Sequence, residues 1–217
     1  MPGPLRVSGG RPCAGAMASV VAHAIGAAAV WEAGRNLPGG RVPRQAPWYL
    51  LPAAIAVLPD LDVVALMLLP PGAAAHRGAS HSIVAAAGIA LCAWALVRLA
   101  HPQARFARTF PLLLACALVH PVLDYLMGCG PPVPFLWPLV ARGWLSPVQL
   151  IPTAYYALSP RGLIRVVLDP RSWAGAGLEC LSLGPLWPAV RCSSVLARAG
   201  WVAISVVGFL LTYLLYN

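Results

Sequence analysis

Lysine is absent from this chain of 217 residues, and aspartate and glutamate together number only six. Asp, Glu, Lys and Arg make up 10% of the residues, against about 25% in an ordinary soluble domain. So few charges cannot cover a surface facing water, and the AVILMFWYC set stands at 59%. A soluble enzyme is thereby excluded and an integral membrane protein implied. All the positive charge lies on arginine, giving a net +9. No basic tract occurs, and the arginines punctuate apolar stretches as topology-holding loop residues do. Direct nucleic-acid binding is therefore not expected. No CxxC pair exists among Cys13, Cys92, Cys116, Cys129, Cys180 and Cys192, which excludes a zinc ribbon and counts against a disulfide framework. Cys92 and Cys116 lie in apolar segments, where cysteine behaves as a small hydrophobe.

Proline and glycine are plentiful, at 23 and 20 residues, and point to broken helices joined by ordered turns. Residues 1 to 16 are rich in Pro, Gly and Arg and are expected to be a disordered tail. The first apolar stretch, Met17 to Trp31, also has a rival reading as a signal peptide, since Arg6 and Arg11 precede it. Pro47 to Pro70 is long enough to span but is interrupted at Pro59, Asp60 and Asp62. Residues 78 to 97 carry no Asp, Glu, Lys or Arg, which suits a bilayer crossing at 1.5 Å rise per residue. Thr109 to Met127 reads as another span. Val133 to Leu158 is apolar but broken by four prolines, so it reads as re-entrant or interfacial. Ala174 to Val190 is ambiguous, and residues 199 to 217 form a charge-free last span. The expected fold is all-α: a polytopic membrane bundle of about five to six apolar segments, some broken or re-entrant, forming one domain over residues 17–217.

An ionisable side chain inside a membrane segment costs about 2.5–3.5 kcal/mol on insertion scales. Yet His23, Asp60, Asp62, His81, His120 and Asp124 fall within or at the edges of apolar segments, with His76 just before one. If the first four segments each cross once, all seven residues arrive on the same side of the membrane. His120 and Asp124 are i and i+4 and share one helical face. Asp60 and Asp62 would diverge on a regular helix, but unwinding at Pro59 could turn both inward. His76 and His81 flank Arg77-Gly78-Ala79-Ser80, a polar turn in which Ser80 is a candidate helix cap and Arg77 a candidate for anion binding. Singly, each has a plainer reading: a lone His bonds a neighbouring helix, and Pro-Asp-x-Asp is a turn. Together they form the mixed nitrogen and oxygen set that transition metals take.

Pro59-Asp60-Leu61-Asp62, then His76-Arg77-Gly78-Ala79-Ser80-His81-Ser82, then His120-Pro121-Val122-Leu123-Asp124 resemble the ordered motifs of a bacterial family. It is the YdjM-like family of membrane-bound, metal-dependent hydrolases, also described as LexA-binding and inner-membrane-associated. Val133 to Pro138 and the Leu178-Glu179 pair extend the resemblance, which covers roughly residues 17 to 182. Val63 stands where members often carry His, and Val119 where Ser commonly precedes the third motif's His.

The resemblance implies a hydrolase using a divalent metal, Zn or Mn, as one ion or two. His76, His81, His120 and Asp124 would be ligands, Asp60 and Asp62 ligands, bridge or general base, His23 a ligand or orienter, and Arg77 a partner for substrate charge. A site at membrane depth implies an amphiphilic substrate, most simply a phospholipid or another lipid phosphoester. A metal- or proton-coupled transporter is the first rival, although no internal repeat is visible. A noncatalytic scaffold with a structural metal is the second. The expected location is the bacterial inner membrane. The four-crossing model groups Arg35, Arg41, Arg44, Arg98, Arg105 and Arg108 on one side, against Arg6, Arg11, Arg77 and Arg142 on the other. Positive-inside bias then places the His/Asp cluster on the extracytoplasmic side. Oligomeric state is not legible in the sequence.

Overall fold

The computed structural model describes residues 16–35, 48, 50–68, 76–155 and 159–217. The expected disordered tail lies outside the described residues except for Ala16, as does the Arg41 and Arg44 part of the first linker. Among the described residues the regular structure is helical, apart from a two-residue antiparallel pairing of Ala16–Met17 with Ala154–Tyr155 and one isolated bridge.

Helix α1 spans Val20–Arg35. The interrupted second segment is α2 (Leu50–Val57), a 3-10 turn at Leu58–Asp60, and α3 (Leu61–Met67). Pro59 opens that turn because it has no N–H to continue the α-helical ladder. A second 3-10 turn, Ala79–His81, leads into α4 (Ile83–Ala100). The cap of α4 is Ser82, whose hydroxyl accepts from the Ala85 N–H at 3.1 Å. Ser80, the expected cap, is used elsewhere. Helix α5 is Phe106–Leu126 and keeps Pro111 and Pro121 in its interior. Residues 127–153 form turns closed by a bridge between Val133 and Trp144, which agrees with the expected broken segment. Then follow α6 (Pro160–Leu168), α7 (Pro170–Leu183), α8 (Leu186–Arg191) and α9 (Val195–Tyr216).

Three of these helices, α4, α5 and α9, are long and apolar enough to cross a membrane, at 18, 21 and 22 residues. The all-α membrane bundle is as expected, with fewer spans among the described residues than the five to six apolar segments, and the difference is one of length. Helix α1 has 16 residues, about 24 Å at 1.5 Å each, short of a hydrocarbon core about 30 Å thick. The second segment is divided at Pro59, and the Ala174 to Val190 stretch breaks between α7 and α8.

The core lies where α1, α2, α4 and α5 meet. Trp31, Ile55, Ala90, Val97, Leu113 and Cys116 are buried there in one cluster, with Cys116 acting as the expected small hydrophobe. Small residues let the backbones approach. A Cβ on Gly26 would lie 2.8 Å from a Val119 methyl, and one on Gly34 would lie 2.2 Å from a Leu112 methyl. These contacts run α1 and α5 antiparallel, so the start of α1 meets the end of α5. Helix α9 packs on α7 through Ser205, Gly208 and Thr212, spaced at three and four residues. Ser205 Oγ donates to the Ser182 carbonyl, and a Cβ at Gly208 would come within 2.7 Å of Ser182 N. The outward residues of α9, such as Val202, Val206, Leu210 and Leu214, are exposed and apolar, as a lipid-facing surface requires.

Gly128 ends α5 with φ +67°, and a Cβ there would stand 2.9 Å from the Val148 carbonyl oxygen. The turn therefore needs glycine for both conformation and space. Gly128→Ala should lower stability by at least about 1 kcal/mol, read as a drop in unfolding midpoint of the purified protein in detergent. An unchanged midpoint would contradict this account of the turn.

Candidate metal centre

Four chain segments reach one end of the bundle and bring the predicted polar residues together there. Helix α1 contributes His23, the turn after α2 contributes Asp60, the turn before α4 contributes His76, Arg77 and His81, and the last two turns of α5 contribute His120 and Asp124. His23, His81, His120 and Asp124 have no exposed surface, and Asp60, His76 and Arg77 retain 7%, 2% and 3%. Asp62, the second residue past the turn, remains half-buried.

The ring nitrogens divide into two classes. His76 Nδ1 lies 2.7 Å from Asp62 Oδ1, His81 Nδ1 lies 2.9 Å from Ser80 Oγ, and His120 Nδ1 lies 2.7 Å from the Ala56 carbonyl. Ser80 in turn donates to Asp62 Oδ2 at 2.9 Å. Each of these contacts fixes a ring and leaves its Nε2 facing inward. The Nε2 atoms of His81 and His120, both nitrogens of His23 and both oxygens of Asp60 are buried without a hydrogen-bond partner. Such orphaned polar atoms cost about 1–3 kcal/mol each when buried and call for an explanation.

Their mutual distances supply one. Asp60 Oδ1 is 3.5 Å from His120 Nε2 and 3.9 Å from both His76 Nε2 and His81 Nε2. Asp60 Oδ2 is 3.8 Å from His23 Nε2. Donors placed about 2.1 Å from a tetrahedral ion are about 3.4 Å apart, close to these separations. The rings crowd to the same end: His23 and His120 stack with centroids 3.9 Å apart, and His81 meets His120 edge-on at 4.6 Å. Three overlapping groups have donor atoms close enough to hold an ion: His23 with His120 and Asp124, Asp60 with His81 and His120, and Asp62 with His76 and His81. The donor set fits a divalent transition metal.

Arg77 does something other than face a substrate. Its backbone is left-handed, φ 64°, a conformation that strains a non-glycine residue. That turn aims the guanidinium into the protein, where Nε and Nη2 each lie 3.0 Å from an oxygen of Asp124. Nη1 donates to the carbonyls of Cys129 and Pro131, both at 2.9 Å. The guanidinium is thus occupied by protein acceptors and clamps Asp124 in the interior. Asp124 also accepts from the Ala18 N–H at 3.2 Å, and its Oδ2 remains 3.3 Å from His81 Nε2 and 3.6 Å from His120 Nε2.

Some participants escaped the sequence. The Ala56 carbonyl had a faint signal, because Pro59 sits three residues on and cannot donate to it. Ala18 N–H had none, being a backbone group matched to a residue far along the chain. Glu179 is fully buried in α7 and accepts from Ser19 N at 2.9 Å and from Ser19 Oγ, so it fixes the start of α1 one turn before His23.

A family model described as YdjM inner membrane protein matches residues 17–215. No curated protein and no solved structure matches the chain.

The Arg77 geometry makes a prediction that a substrate-facing arginine would not share. Arg77→Ala leaves a buried carboxylate unpaired and should destabilise the protein by about 3–5 kcal/mol. Arg77→Lys keeps the charge but loses the forked geometry, and should also unfold at clearly lower denaturant than wild type. Wild-type stability in Arg77→Lys would return Arg77 to the role of a replaceable charge.

Proposed function

Because the chain belongs to the YdjM inner membrane protein family, we propose that it is a membrane-embedded, metal-dependent hydrolase acting on a phospholipid or another lipid phosphoester. The observation that carries this reading is the convergence of orphaned donors from His23, Asp60, His81 and His120, with His76 Nε2 3.9 Å from Asp60 Oδ1. Asp60 and the Nε2 atoms of His76, His81 and His120 are the ligands, with His23 completing or orienting the set. Asp62 is the orienting carboxylate of His76, since both its oxygens already accept from His76 or Ser80. Asp124 stands next to the ligands and is held by Arg77. The Nδ1 atoms of His76, His81 and His120 already face Asp62, Ser80 and the Ala56 carbonyl, so each of these rings has only its Nε2 to offer an ion. A bound Zn or Mn ion supplies Lewis acidity and brings the pKa of a water toward about 7.

The chain's own residues do the rest of the work. Ser80, Asp62 and the Ala56 carbonyl hold three rings in the tautomer that presents Nε2 inward. The Arg77–Asp124 pair keeps the turn before α4 against the end of α5. Asp62, with its side chain 19% exposed, stands on the open side of the cluster, where a headgroup would approach. The protein lies multi-pass in the inner membrane with this end extracytoplasmic, the arginines at Arg35, Arg98, Arg105 and Arg108 marking the cytoplasmic end.

Purified protein should carry about one divalent transition metal per chain by elemental analysis. His81→Ala or Asp60→Asn should strip most of it, whereas Asp62→Asn should weaken affinity about 10–100-fold. Chelation should abolish hydrolysis of a lipid phosphoester panel and added metal should restore it. Metal-free native protein, or equal content in every variant, would sink the metal centre; a metal-loaded protein inert on every lipid would favour a transporter.

Sidedness is tested separately by cysteine labelling in intact cells. An impermeant reagent should reach a cysteine at Leu139, in the turns beside the cluster, and not one at Gln103. The reverse pattern would place the cluster in the cytoplasm.

A further inference from the structure

Away from the His/Asp cluster, α1 and α8 enclose an apolar groove of about 540 Å³. Its walls are Ala24, Ile25 and Ala28 of α1 with Gly184, Trp187 and Arg191 from the α8 side. Ala24 and Ala28 are i and i+4, so one wall of the groove is a stripe of small side chains on α1. The volume lies within the range of ligand pockets, about 300–1,000 Å³.

Its polar character is confined to one end. Arg191 is the only charged residue of the lining, and its side chain is 52% exposed. The guanidinium lies over the Trp187 ring at 5.3 Å and 3.8 Å from Glu32 Oε1. That second contact is long because Glu32 is already engaged by Arg35, at 2.8 Å from Arg35 Nε and 3.1 Å from Nη2. Arg191 therefore keeps cationic character at the groove mouth. From Ala24 to Glu32 is eight residues along α1, about 12 Å. The groove thus runs from near the level of His23 to the bundle end opposite the cluster, where Arg35, Arg191 and Arg198 collect.

We propose that this groove is a binding site for an anionic phospholipid, one acyl chain lying against Ala24, Ala28 and Gly184 and the phosphate meeting Arg191. Within a bilayer an open apolar groove is not left to water, and its lining lacks the polar partners an ordered water needs. An acyl chain restores the dispersion contacts that an empty seam forfeits. Arginine at the mouth, with tryptophan beside it at headgroup level, selects phosphate that carries net negative charge. The bound lipid belongs to the leaflet opposite the cluster, so it is a resident lipid bridging α1 and α8 rather than a substrate. The site does not depend on the hydrolase reading.

The test uses full-length protein in detergent, with phosphatidylglycerol and phosphatidylcholine of equal chain length as probes, read by native mass spectrometry and by shift of the unfolding midpoint. Wild type should retain and be stabilised by phosphatidylglycerol over phosphatidylcholine. Arg191→Gln should cut that retention about tenfold and remove the preference. Ala28→Trp should fill the groove and reduce retention of both lipids. Metal content should be unchanged in both variants, which separates this result from any failure of the metal centre. Equal retention of the two lipids by wild type, or full retention by Arg191→Gln, would overturn the proposal. So would self-association of the chain that Ala28→Trp abolishes without altering lipid binding, since the groove would then belong to a second copy.

Discussion

A guanidinium and a carboxylate buried together inside a helical bundle must satisfy each other and every remaining donor. Arg77 and Asp124 do so with two matched bonds, two backbone carbonyls and one backbone N–H. The pair joins elements that do not otherwise share a hydrogen-bond ladder: the turn before α4, the end of α5, the residues following α5 and the entry to α1. It also explains why a non-glycine residue tolerates φ 64° at position 77. The strain of that conformation, on the order of 1–3 kcal/mol, is outweighed by a side chain that could be saturated in no other direction. Positioned this way, the neighbouring His76 and His81 both reach inward from a single short turn.

The cluster itself has two layers with different demands. The outer layer consists of ordinary hydrogen bonds from Asp62, Ser80 and the Ala56 carbonyl, each to a ring Nδ1. The inner layer consists of ring nitrogens and carboxylate oxygens that approach one another at 3.3 to 3.9 Å. A protein rarely leaves so many buried donors and acceptors unmatched. Fixing the outer nitrogens is what makes the inner ones converge. Glu179 extends the same logic outward, since its hold on Ser19 sets where α1 begins and hence where His23 lies.

Helix α1 serves both ends of the molecule. Its first turns hold His23 against His120, and its last turn carries the Glu32–Arg35 pair beside Arg191. Between them its small residues allow α5 to press close on one side and leave a seam to α8 on the other. Packing by small residues is how apolar helices associate where lipid is as apolar as leucine.

Much of this was legible in the residues alone. The scarcity of charge dictated a membrane protein, because uncharged helices can be solvated only by lipid or by each other. The placement of His23, Asp60, Asp62, His76, His81, His120 and Asp124 among apolar segments implied one shared end on a four-crossing reading, and Pro59 announced the break that turns Asp60 inward. Pattern could not give the roles within the cluster. Arg77 reads from sequence as a loop cation, and only a left-handed backbone reveals that it points into the core. Ser80 reads as a cap, yet Ser82 holds that position and frees Ser80 for Asp62 and His81. Among the described residues three helices are long enough to span, fewer than the five to six apolar segments expected, because hydropathy measures how apolar a stretch is, whereas a span also needs an unbroken ladder of hydrogen bonds. Composition and spacing therefore determined which residues meet. Which atoms face one another depends on backbone dihedrals and on carbonyls such as that of Ala56, which carry no side-chain signature and are placed only when distant segments pack.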